Sequence, residues 1–136
     1  MASDRFGELL PMRMLGATGE KVTMLGLGGA HIGIALDESA SEKVIEAAIE
    51  GGIRFFDNAY GYAGGLAEER FGKFLVPKYR DISFIMTKTP ARDAKTAQEH
   101  LETSLKRMNT DYIDLWQIHS INTKEDLDRR LVNGVL

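Results

Sequence analysis

Apolar residues recur in this chain in two alternating rhythms. Short strand-like runs cover residues 25–29, 53–57, 82–88 and 112–119, each bounded by turn-forming or polar residues. Between them the apolar spacing lengthens to that of a helix. Val44, Ile45, Ala48 and Ile49 form one face of a first helix. It starts near Ser39, where Ser39 and Glu42 have capping-box spacing, and Gly51-Gly52 ends it. A second helix covers 66–76, with Ala67, Phe71, Phe74 and Leu75 inward and Pro77 as its stop. A third has Asp93 as N-cap and Ala94, Ala97, Leu101, Leu105 and Met108 on one face. Thr123 with Asp126 opens a short fourth piece. Residues 1–10 show no pattern and are expected as a loose lead-in. Residues 12–15 and 21–24 flank a glycine-containing turn and are expected as a β-hairpin.

Strands alternating with helices, without a long polar linker, predict a parallel α/β architecture in one domain. Asp57 to Lys88 and Lys88 to His119 are both intervals of 31 residues, the repeat that successive βα units produce. A complete (β/α)₈ barrel of TIM type takes about 250 residues, whereas this chain has 136 and four such units. The expected fold is therefore a half-barrel: the first four βα units of a parallel barrel, preceded by the hairpin. Residues 1–136 are expected to be one domain, the truncated N-terminal portion of a longer barrel, because the final apolar stretch from Leu131 to Leu136 has no cap or polar tail. Unclosed strands leave two sheet edges and an apolar face, so self-association through those edges is a further expectation.

Composition removes several function classes. A formal charge of −3 predicts neither a basic nucleic-acid surface nor an acidic tail. There is no cysteine, so disulfides, thiolate catalysis and cysteine-based metal sites are excluded. The N-terminal residues lack the apolar core of a signal peptide, and no apolar stretch approaches the ~20 residues of a membrane span. The expectation is a cytoplasmic protein with a small-molecule partner, without nucleic acid, membrane or metal.

Three strands deliver an ionisable group where their apolar run stops: Asp57, Lys88 and His119, with Tyr62 five residues beyond Asp57. Strands covered on both faces are almost wholly apolar, so these groups need a reason. Barrel enzymes carry their catalytic groups at the C-terminal ends of the strands. A lysine at the mouth needs a carboxylate partner, which Asp57 can supply. A cation beside a tyrosine hydroxyl favours the phenolate, and such a tyrosine can donate a proton to a developing alkoxide. A histidine can hydrogen-bond the same oxygen. These parts suit carbonyl reduction. Taken singly, each has a plainer reading: Asp57-Asn58 as turn chemistry, Tyr62 as loop packing, Lys88 as a snorkelling side chain, and His119 as a satisfied core histidine. Their joint placement in one repeating frame favours the catalytic reading.

The ordered motifs resemble the aldo-keto reductase family. They are Arg13-Met14-Leu15-Gly16 with Thr18-Gly19, Leu25-Gly26-Leu27-Gly28-Gly29, Gly52-Ile53-Arg54-Phe55-Phe56-Asp57-Asn58-Ala59 with Tyr62, Met86-Thr87-Lys88, and Tyr112-Ile113-Asp114-Leu115 through Ile118-His119. The resemblance implies a (β/α)₈ barrel that reduces an aldehyde or ketone reversibly with a nicotinamide cofactor, NADP(H) more often than NAD(H). The family's catalytic tetrad falls on Asp57, Tyr62, Lys88 and His119, with Tyr60 a competing assignment for the tyrosine. Gly28, Gly29 and Asp57 are the implied cofactor-lining residues. Asn58 stands where many members carry threonine, and the loops after strands seven and eight, where such barrels hold phosphate, lie outside the four units.

Two other classes compete. One is a catalytically inactive half-barrel or assembly module that retains the family's residues; the other is a smaller flavodoxin-type fold binding a phosphate ligand. Gly26-x-Gly28 departs from a dinucleotide fingerprint, since Gly33 lies five residues beyond Gly28 and no helical pattern opens directly after it. His31 reads as loop polarity, His100 as a solvated helix position, and Glu68-Glu69-Arg70 as a wet helix face. Trp116 is expected between strand and helix, without functional weight.

Overall fold

The computed structural model describes residues 2–136. Two small antiparallel ladders come first: β1 (Ser3–Asp4) with β2 (Gly7–Glu8), and β3 (Met12–Met14) with β4 (Lys21–Thr23). The second ladder is the expected hairpin. The first corrects the expectation of a loose lead-in, and its anchor is tertiary. Asp4 accepts two hydrogen bonds from Arg54 (2.6 and 2.9 Å), and Arg54 also donates to the carbonyls of Ile49 and Ile53 at 2.8 and 2.7 Å. One buried guanidinium thus closes the end of a helix and pins the N-terminus beneath the sheet.

The strand-like runs form one parallel sheet of β5 (Gly26–Gly28), β6 (Phe55–Asp57), β7 (Phe84–Thr89) and β8 (Leu115–Ile118), paired in chain order. Helices α1 (Gly29–Ile34), α2 (Glu38–Glu50), α3 (Leu66–Arg70), α4 (Val76–Tyr79), α5 (Ala94–Met108) and α6 (Lys124–Val132) complete the chain. Phe56 and Ile85 are register partners on adjacent strands, so their side chains leave the same face of the sheet. There they meet Ile45, Ile49, Phe71, Leu75 and Met108 in one buried core. Each such side chain contributes about 1.5–3 kcal/mol by leaving water. On the opposite face the rings of Phe55 and Phe84 meet edge to face at 5.8 Å, and Gly26 leaves room for the Phe55 ring. The outer edges of β5 and β8 have no strand partner among the described residues.

Four helical expectations need correction. The cap of α2 is Asp37, whose carboxylate accepts from the Ala40 N–H at 2.7 Å, while Ser39 lies inside the first turn. Pro77 does not stop the second helix. A π-turn over Phe71–Leu75 resets the hydrogen-bond register, so Pro77 falls in the first turn of α4, where a missing N–H costs nothing. The buried face of α5 is rotated toward Ala97, Ser104 and Met108, leaving Ala94 exposed. Finally, α1 does open directly after Gly28. Its six residues show no helical pattern, but the buried Arg70 guanidinium donates to the carbonyls of Ile32 and Leu36 and so completes its open C-terminal end. The Asp93 and Thr123 caps form as expected, accepting from the N–H groups of Thr96 and Asp126.

Candidate active site

Strand register brings the candidate groups to one rim. Gly28 pairs with Asp57, Lys88 with Gln117 and Thr89 with Ile118, and the His119 N–H donates to the Thr89 carbonyl at 2.8 Å. The Lys88 ammonium donates to the Asp57 carboxylate and, at 2.7 Å, to the Asn58 carbonyl. Its side chain is 13% exposed and that of Asp57 39%, so the pair sits at the lip of the sheet rather than in the core. The ammonium lies 5.1 Å from the centre of the Tyr62 ring. His119 meets that ring edge to face at 5.7 Å. Acid, phenol, ammonium and imidazole therefore share one rim. Tyr60 is turned away from it: its ring stacks at 3.7 Å on His100, whose Nδ1 is 2.8 Å from the hydroxyl of Thr89, one residue past Lys88 on the outer face of the strand.

Burial holds the His119 imidazole below the usual histidine range, and the Lys88 ammonium pushes in the same direction, partly opposed by Asp57. Its ring is neutral at neutral pH, with one N–H to offer a carbonyl oxygen. Arg130, buried in α6, adds a smaller push downward and holds the residue by donating to its backbone carbonyl at 3.1 Å.

The two glycines beside Asp57 differ in kind. Gly28 faces open space where a side chain would begin, so a flat ring can approach the backbone beside its register partner Asp57. At Gly29 the same space is filled by the buried Asn58 carboxamide, which accepts from the Ala59 N–H and fixes the start of the loop carrying Tyr62. Among the described residues no group of His, Asp and Glu is arranged to hold a metal ion, and no helix is long and apolar enough to cross a membrane.

Of three residues read from the sequence as solvated, two are in fact buried and His100 is half-buried. Glu68 is fully buried, accepting from the Thr87 hydroxyl at 2.7 Å and from Arg107 at 3.2 Å, and Arg70 is buried beneath α1. His100 is tucked under Tyr60, and burial holds its imidazole below the usual range. A signal for two of them was present. Glu68 precedes Phe71 and Leu75 by three and seven residues, and His100 follows Ala97 by three, so helical periodicity alone turns both inward. Polarity masked that period. Trp116 pairs in register with Thr87 and so leaves the sheet on the helical side, as expected.

Comparison with known proteins identifies the family and the fold. The family described as "Aldo/keto reductase family" matches residues 24–131. Aldo-keto reductase YhdN of Bacillus subtilis is 40% identical over 119 residues, which is 75% of this chain and 35% of that protein. The crystal structure of the thermostable aldo-keto reductase Tm1743 superposes with a TM-score of 0.77 at 32% identity, covering 93% of this chain and 50% of the other. Aldo-keto reductase AKR11C1 from Bacillus halodurans, in its holo form, superposes with a TM-score of 0.75 at 28% identity over 91% of this chain and 45% of that one. The chain thus spans half or less of each of these relatives, and its four-stranded parallel sheet corresponds to part of their barrel. With its matched segment running through all four strands and the rim they form, the chain belongs to the aldo-keto reductase family.

Proposed function

We propose that this chain carries the proton-transfer machinery of a nicotinamide-dependent reductase that converts an aldehyde or ketone reversibly into an alcohol. The observation that supports this most directly is the meeting of Tyr62, Lys88, Asp57 and His119 at one strand-end rim. A bound reduced nicotinamide nucleotide, NADP(H) in preference to NAD(H), would supply the hydride, with Gly28 and Asp57 lining its nicotinamide end and Gly29 set behind them under Asn58. The chain's own residues manage the oxygen. His119, neutral, donates a hydrogen bond to the carbonyl oxygen and orients it. Tyr62 gives its proton to that oxygen as negative charge develops there. Lys88 stabilises the phenolate left behind, and Asp57 keeps the ammonium in place. Water then returns a proton to Tyr62.

The test is NADPH binding by fluorescence together with aldehyde-dependent loss of the reduced nicotinamide absorbance. Binding and turnover that both depend on Tyr62 support the reading. Absence of nucleotide binding and of turnover even in a longer barrel containing this chain sinks it, and leaves a binding or assembly module.

A further inference from the structure

The loop of residues 58–65 presents Tyr62, and its backbone is under strain just beyond that residue. Ala63, Gly64 and Gly65 are consecutively left-handed, with φ of 53°, 65° and 106°. An alanine held there costs of order 1–2 kcal/mol, and such strain persists only where neighbouring structure over-determines it. On the sheet side the loop is sewn to β7, with the Asn58 N–H donating to the Met86 carbonyl at 2.9 Å and the Tyr60 N–H to the Lys88 carbonyl at 3.0 Å.

On the helical side the restraint is Arg107. Its guanidinium donates to the Tyr60 carbonyl at 2.9 Å and to Glu68 at 3.2 Å, lies 4.6 Å from the centre of the Tyr60 ring, and fills the space where a side chain at Gly65 would begin. It can reach because α5 packs closely on the π-turn: a side chain at Gly72 would collide with the Arg107 carbonyl. Glu68, fully buried, passes the restraint to the Thr87 hydroxyl, immediately before Lys88. One cation thus touches the loop at Tyr60 and at Gly65, on both sides of Tyr62, and reaches the lysine strand through one carboxylate.

We infer that Arg107, held by Glu68, is a positioning residue that sets the Tyr62 phenol against Lys88, and that its role is more than stabilising the fold. This rests on the proposed reductase reading. A loop freed from Arg107 relaxes toward ordinary backbone angles and carries Tyr62 with it. Misplacing a catalytic group by about 1 Å costs on the order of 10²-fold in rate.

The variants are Arg107→Met, which keeps the stem and removes the charge, and Arg107→Lys, which keeps a donor for the Tyr60 carbonyl. Each is assayed in a catalytically active barrel containing this chain. The same proteins carry ¹³C-tyrosine, with the Tyr62 resonance assigned through Tyr62→Phe. Arg107→Met is expected to shift the Tyr62 resonance and lower kcat by roughly 10- to 100-fold, with KM for the carbonyl substrate little changed; Arg107→Lys recovers much of both. An unmoved Tyr62 resonance with wild-type kcat overturns the inference, as does a lowered kcat with the resonance unmoved. If Arg107→Met does not fold, Glu68→Gln takes its place: a shifted resonance with lowered kcat supports the inference, and an unmoved resonance overturns it. Wild-type turnover in Tyr62→Phe sinks the reductase reading instead, which separates the two failures.

Discussion

Lys88 gives one N–H to the Asp57 carboxylate and a second to the Asn58 carbonyl, so the end of the neighbouring strand holds the cation and Tyr62 does not. An ammonium has three donors, and one remains for the phenol side, where the Tyr62 ring centre lies 5.1 Å away. The lysine is thus oriented before any substrate arrives. Its partner Asp57 is the register neighbour of Gly28, which links proton transfer to the edge proposed for the nicotinamide.

Tyr62→Phe removes the proposed acid and leaves the ring's packing on His119 intact. Turnover is expected to fall by about 10²- to 10⁴-fold, while NADPH affinity stays near wild type. Steady-state kinetics beside a fluorescence titration check both halves. Wild-type turnover would sink the reductase reading, because Tyr60, stacked on His100, is turned away from the rim.

Lys88→Met is expected to lower kcat as severely as Tyr62→Phe, since both act on one proton. Because such residues work as a unit, the double variant should lose little more than either single one. Multiplying losses would show that the two act independently.

Glu68→Leu strips Arg107 of its carboxylate and Thr87 of its acceptor. Breaking a buried pair from one side costs about 3–5 kcal/mol; with the Arg107 side chain 20% exposed, the lower end applies. Urea unfolding measures it, and a change under about 1 kcal/mol would mean that water already satisfies the guanidinium.

Phe56→Ala opens a void between sheet and helices, where Phe56 meets Phe71 edge to face at 6.0 Å. The expected loss is about 3–5 kcal/mol, read from the same unfolding curves, with the rim geometry preserved.

Histidine protonation gives the stability a pH dependence of known sign. Burial lowers both His100 and His119 in the folded chain, whereas the unfolded histidines titrate near about 6.5. Above that pH both states are neutral, and these residues contribute no slope. As pH falls below it, the unfolded chain binds protons that the folded chain refuses, so stability drops until the folded histidines protonate too. Unfolding midpoints across roughly pH 5 to 8 should show the decline, and His100→Gln should flatten it. A flat wild-type profile would contradict the burial of these rings.

Local chemistry was legible wherever neighbours in sequence are also neighbours in space. The hairpin, the four strands, the inward Phe71 and Leu75, and the Asp93 and Thr123 caps all depend on hydrogen bonds or periodicities spanning a few residues. The 31-residue interval also announced a common rim, because parallel strands of equal period end at one side of their sheet. The buried charges were not legible. Helical period turned Glu68 inward, but Glu68, Arg70 and Arg107 carry charged labels, and their partners are remote in sequence: Thr87 lies 19 residues from Glu68, Ile32 lies 38 from Arg70, and Tyr60 lies 47 from Arg107.

By itself, then, the order of apolar and polar residues determined the alternating βα units and the strand ends where Asp57, Lys88 and His119 stand. Only the packed structure decided that α5 leans over the Tyr62 loop, that Pro77 falls in a fresh turn, and that residues 2–10 are pinned by Arg54. The physical reason is the same in each case. Periodicity says which side of an element is apolar, but a charge goes inside only when a distant partner compensates its lost water, and that partner exists only after the chain has folded.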